Sequence, residues 1–268
     1  MPPTSMPWAL IGAACLAMFA ATASGTTRAP FLIAIAADLD ASLPLVANLF
    51  SMTATAWGIA SAVAGPLSDR VGRRWVLVLG PIALGGAMAG TAAAGGFFGV
   101  AVWATLGGLA AGSFTGVIFA EVSDRVADSH RGRALGWVMS GQSITLLVGV
   151  PLAAWAGAYI GWRGWSLCVA ALSLASALAL FGTAEGRGAR ATGASVALRT
   201  ALPPRIAGLL AVGVAERVCY GLAVIYFATF LQTRPWAAAR GTGASLGALR
   251  GRQSGRYGAR RAARGSLP

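Results

Sequence analysis

Three groups of charged residues interrupt an otherwise apolar chain, and each could do a particular chemistry. The first is the run Gly65-Pro66-Leu67-Ser68-Asp69-Arg70-Val71-Gly72-Arg73-Arg74, which sets one carboxylate among three guanidinium groups between two long uncharged stretches. Asp69 and Arg73 are four apart, so they pair on one face if the turn is helical. Gly65 and Gly72 supply the small residues that a tight turn and close approach need. The second group is Glu216-Arg217, about ten residues into another apolar stretch. A charge at the centre of a membrane-spanning helix costs ~2.5–3.5 kcal/mol, so such residues face a cavity or a partner. Adjacent helical residues point about 100° apart, so these two do not pair with each other on one face. The third is Arg28, beside Pro30 at the far end of the first apolar stretch, a weaker cavity candidate.

Other chemistries lack their residues. Cys15, Cys168 and Cys219 all fall inside apolar stretches, and the single His130 lies in a charged loop. The sequence holds no CxxC or Cys/His cluster, no Ser or Cys nucleophile constellation and no phosphate loop. We therefore expect no metal, no cofactor and no enzymatic activity.

These groups must be positioned by helices in a bilayer. The 268 residues are 56% apolar and 11% charged, whereas a soluble domain carries about 25% charged residues. A spanning helix needs about 20 apolar residues, and seven stretches qualify: 8–27, 43–67, 75–95, 98–120, 134–159, 165–183 and 206–231. The expected fold class is an all-α integral membrane protein. Residues 1–183 form a six-helix bundle, 184–205 a cytoplasmic central loop, 206–231 a seventh transmembrane helix, and 232–268 a tail. The first stretch reads as an uncleaved span, because the seven residues before it lack the Lys or Arg of a signal peptide.

All 21 basic residues are Arg, and eight of them lie after residue 231, where there is no acid. The formal charge of +13 is thus largely a property of the tail, and nucleic-acid binding is not expected. The loops after the second, fourth and sixth stretches hold Arg70, Arg73, Arg74, Arg125, Arg131, Arg133, Arg187, Arg190, Arg199 and Arg205. The opposite side holds Arg28 and Arg163. The Arg-rich side is expected to be cytoplasmic, with the N-terminus inside, in a multi-pass protein of the plasma (inner) membrane. Seven spans would put the Arg-rich tail outside, against that bias. Its Arg/Gly-rich composition reads as disordered. An abrupt compositional switch in a Lys-free chain points to truncation or a frameshift after about residue 231, with a genuine basic tail touching anionic lipid as the alternative.

The run from Gly65 to Arg74 resembles the signature loop between helices 2 and 3 of the major facilitator superfamily, Gly-x-Leu-x-Asp-Arg-x-Gly-Arg-(Arg/Lys), and meets every specified position. The likeness covers residues ~8–231. It implies the first six-helix half of a twelve-helix secondary transporter plus helix 7. It also implies a conformational latch formed by Gly65, Asp69, Arg70, Gly72, Arg73 and Arg74, closing the cytoplasmic face. Glu121 and Asp124 are expected to reach Arg73 or Arg74 as latch partners. Gly141, Gly149 and Pro151 resemble the helix-5 antiporter motif, though Val150 separates Gly149 from Pro151 and Ala153-Ala154 replace a later Gly pair. Gly108, Gly112 and Gly116 form a small-residue stripe for close packing. The family often carries an Arg on helix 4 where this chain has Ala104, which puts that coupling route in doubt.

The resemblance implies proton-coupled efflux of a small solute, a drug or a sugar. Protons would be the coupling ion, and Glu216, Arg217 and Arg28 the cavity or coupling candidates. For this chain the expectation is a truncated, transport-incompetent form. The alternative is a half-size membrane protein that works by associating with itself or with a full-length transporter.

Overall fold

The computed structural model describes residues 6–184 and, beyond them, residues 208, 211–216, 218, 219 and 222. Arg217, the tail and nearly all of the central loop lie outside the described residues. The chain divides into two units, Met1–Leu209 and Leu210–Pro268. In the second, the described residues are helical and exposed, Glu216 among them.

The first unit is built from α1 (Trp8–Thr26), α2 (Leu32–Asp38), α3 (Leu43–Val71), α4 (Arg73–Ala93), α5 (Phe97–Arg125), α6 (Asp128–Ile144) and α7 (Val150–Thr183). No strand occurs among the described residues. Five helical stretches are long and apolar enough to cross a membrane: Trp8–Asp38, Leu43–Val71, Arg73–Ala93, Phe97–Arg125 and Asp128–Thr183. The protein is an all-α membrane protein.

The last stretch is a hairpin. Gly161 has φ 69° and ψ 177°, outside helical geometry. Before it the chain climbs from Asp128, and after it Trp162–Thr183 descends to the same end of the bundle. A positive φ is open to Gly at no steric cost, so one residue reverses the chain and no separate loop is needed between the fifth and sixth apolar stretches. Within the climbing arm, a π-helical turn at Thr145–Gly149 precedes Pro151. Proline lacks the N–H that would continue the α-helical ladder, and a widened turn absorbs the mismatch.

Helix packing is close wherever glycine permits it. A Cβ on Gly108 or Gly112 of α5 would collide with the carbonyl oxygens of Thr53 or Trp57 on α3. The third member of that stripe, Gly116, has open space where a Cβ would sit, so only two of the three glycines serve the helix contact. Gly141 on α6 meets the Cys15 carbonyl of α1 in the same way. Such backbone-to-backbone approaches give membrane helices the dispersion contacts that hold them together. α5 is the central helix, packing on α1, α3, α4 and α6, and Phe114, Val117, Ile118 and Val122 on it are fully buried.

One boundary differs from the sequence expectation in a way that matters. The first span does not end near Thr27 but runs on through a 3₁₀ turn at Ala29–Phe31 into α2. Pro30 sits at the start of that turn, where its missing N–H is harmless and its fixed φ is already helical. Arg28 is therefore buried within the bundle and is not a residue of an outer loop.

Candidate functional site

The charged run forms the seam between α3 and α4. Gly72 closes α3 through its N–H to Ser68 O at 2.9 Å and adopts φ 99°, ψ 128°. That conformation is essentially restricted to glycine. Gly65, by contrast, lies inside α3 with nothing within 4 Å of a Cβ.

The helix break falls between Asp69 and Arg73, and it sets their pairing. Arg73 Nε lies 3.8 Å from Asp69 Oδ1, within ion-pair range but not hydrogen-bonded. Its Nη1 donates instead to Asp124 Oδ2 at the end of α5. Arg74 turns to α7, where Nη2 donates to Phe181 O at 3.3 Å and the guanidinium lies 4.7 Å from the Phe181 ring centroid. Arg70 is exposed at the end of α3.

Of the two acids expected to meet the turn, the structure brings only Asp124 to it. Glu121 is buried and pairs with Arg125 one turn along its own helix. This corrects the expectation that it reaches Arg73 or Arg74. The reason is rotation: residues 121 and 124 point about 60° apart on α5, and Glu121 faces the bundle interior. Arg125, which the sequence reading counted only for orientation, also donates to Thr183 O at 3.1 Å. Arg131 at the start of α6 donates to Ser123 O at 3.3 Å and pairs with Asp128 at 2.6 Å. One end of the bundle is thus stitched across α3, α4, α5, α6 and α7 by arginines.

The opposite end has its own clamp, also missed from sequence. Arg163, two residues past the Gly161 reversal, donates to Asp38 Oδ2 at 3.0 Å and to the carbonyls of Ala92 and Ala94 at 2.7 and 2.6 Å. It ties the ends of α2 and α4 to the Gly161 bend of α7.

The helix-5 motif faces α1. Gly141 touches the Cys15 backbone, and Gly149 would set a Cβ 3.4 Å from the Phe19 ring. Between them the Thr145 hydroxyl lies 2.9 Å from Gly141 O and 3.2 Å from Phe19 O, sharing its proton between the two helices. Pro151 is exposed. Of the cavity candidates, Arg28 lines a small interior cavity with Thr27, Phe31, Met88, Trp162 and Trp165. Ala104 lies in the same region of the bundle, its carbonyl 3.3 Å from the Thr53 hydroxyl that also holds Arg28. Among the described residues no cluster of His, Cys, Asp and Glu could hold a metal ion.

A Gly/Asp/Arg seam between two apolar helices, braced to the end of α5, matches a family pattern along most of the chain. The model of the Major Facilitator Superfamily matches residues 14–267. The chain belongs to the Major Facilitator Superfamily. It is 30% identical over 160 residues, 59% of its length, to the "Uncharacterized MFS-type transporter YwfA" of Bacillus subtilis, of which the match covers 38%. It is 27% identical over 173 residues, 65% of its length, to the "Transcription regulatory protein OpdE" of Pseudomonas aeruginosa, of which the match covers 43%. The chain spans roughly two fifths of these curated relatives. The family match continues to residue 267, past the point near 231 where the motif resemblance was expected to stop. The protein is a multi-pass membrane protein of this superfamily.

Proposed function

We propose that this protein acts in secondary active efflux, exchanging protons for a small solute such as a drug or a sugar across the plasma (inner) membrane, with its N-terminus cytoplasmic. The observation that carries the reading is the α3–α4 seam. Its Arg73 holds Asp124 on α5 and leaves Asp69 exposed, as a cytoplasmic latch requires. The helix-5 glycines, seated against α1 beside a π-turn and Pro151, support the antiporter assignment: a widened, bent helix packed closely on its neighbour can shift without breaking hydrophobic contacts. The described bundle provides one half of the expected architecture. In transporters of this kind the substrate site lies between two halves near the midplane. Glu216 and Arg217, on the expected seventh span, are proposed to serve substrate or proton handling.

The test uses proteoliposomes holding the 268-residue chain, loaded with a pH-sensitive dye and given an imposed proton gradient. Adding solutes from a drug and sugar panel should dissipate the gradient for at least one of them. Wild-type vesicles that never respond, beside a full-length relative that does, would remove the antiport reading for this chain. In that case light scattering in detergent decides the second reading, association with itself or with a full-length transporter: a defined stoichiometry supports it and a monomer excludes self-association.

A further inference from the structure

We propose that the cavity at Arg28 is a binding site for one small monovalent anion of halide size. Arg28 is 7% exposed, inside a membrane-spanning bundle. Its Nη1 donates to the neutral Thr53 hydroxyl at 3.0 Å, and its Nη2 reaches the Met88 thioether at 3.9 Å. Neither partner carries charge. An arginine stays protonated, and a buried cation without a counter-charge is costly, so proteins pair such groups.

The described acids of the first unit are placed elsewhere. Asp38 is held by Arg163, Asp69 and Asp124 by Arg73, Glu121 by Arg125, and Asp128 by Arg131. Asp40 is exposed beyond the end of α2. No described carboxylate of the first unit lies within ion-pair distance of Arg28.

The cavity wall is as selective as the charge. The hydroxyls of Thr27, Thr91 and Ser166 on its lining donate to carbonyls of their own helices, at 2.5, 2.8 and 2.9 Å. Trp165 Nε1 is spent on the Thr27 oxygen at 2.8 Å. The donors left for an occupant are those of the guanidinium, which has five N–H groups in a fixed fork. The free space holds about one water-sized group. A water would satisfy donors but not charge. A small anion does both, and a drug-sized solute does not fit. The site therefore stands apart from the proposed transport cavity, and the inference does not depend on transport.

The experiment is thermal unfolding of the purified full chain in detergent at constant ionic strength, with sodium gluconate replaced stepwise by sodium chloride or bromide. Gluconate is too large for the cavity. Wild type should gain about 5 °C in unfolding midpoint, saturating with chloride or bromide concentration. Arg28→Gln should lose the response and Arg28→Lys should keep a weakened one. A wild-type midpoint indifferent to the anion overturns the proposal, even if Arg28→Gln cannot be purified folded. An equal, saturable shift in Arg28→Gln overturns it as well.

Discussion

Arg73 meets two carboxylates on unequal terms. Asp124 receives a hydrogen bond, while Asp69 sits 3.8 Å away with its side chain 58% exposed. Ion pairs this open to solvent contribute about 0–1 kcal/mol. Arg73→Ala should accordingly lower the unfolding midpoint by no more than about 4 °C. If the seam is a latch, the same variant should lose most gradient-driven transport. Exchanging the pair, Arg73→Asp with Asp124→Arg, should recover part of it. Transport that survives both Asp69→Asn and Arg73→Ala would leave the seam as a topological anchor only. Gly72 is a different case, because its φ of 99° makes any side chain strained. Gly72→Ala should cost about 1–3 kcal/mol, whereas Gly65→Ala, with open space around it, should leave the midpoint unchanged. A Gly65→Ala protein that is stable but transports poorly would place the demand for Gly65 in another conformation of the cycle. The pattern of residue types was readable in the sequence. Which acid Arg73 would choose was not, because the choice depends on the rotation of α5.

At the scale of elements, the apolar stretches were legible because composition alone marks a helix long enough to cross a bilayer. Their joints were not. The first apolar stretch ends at Thr27, yet Pro30 opens a 3₁₀ turn that carries the span on to Asp38. The gap expected between the fifth and sixth stretches is reduced to Gly161. Arg28 and Arg163, both counted on the outer side by charge, do different work: one is sealed in the core, the other clamps two helix ends to the bend in α7. No local pattern distinguishes them, since burial is set by residues far along the chain such as Thr53 and Met88. The glycine stripe on α5 makes the same point quantitatively. Gly112→Ala must push its Cβ against the Trp57 carbonyl and should destabilise by about 1–3 kcal/mol. Gly116→Ala meets nothing and should stabilise by up to about 1 kcal/mol through helix propensity. Unfolding midpoints of the two variants in one detergent should move in opposite directions. Equal losses would mean that Gly116 also faces a helix.

For the whole molecule, orientation is the inference that joins charge counting to the fold. The up-and-down path puts the α3–α4 seam, the α5–α6 turn and the end of α7 at one end, and the α4–α5 turn, Asp38 and Gly161 at the other. Arg70, Arg73, Arg74, Arg125, Arg131 and Arg133 gather at the first end, while the second has Arg163, neutralised by Asp38. Short basic loops are retained in the cytoplasm, so the latch end should face inward. Gly95 in the α4–α5 turn and Ser129 at the start of α6 are both exposed and report the two ends. In a background with Cys15, Cys168 and Cys219 changed to Ala, a membrane-impermeant maleimide should label Gly95→Cys in intact cells. It should label Ser129→Cys only after permeabilisation. The reverse pattern would turn the bundle over and move the Asp69–Arg73–Asp124 seam to the outside. A cytoplasmic latch would then be excluded, while the anion site at Arg28, which lies inside the bundle, would stand unchanged.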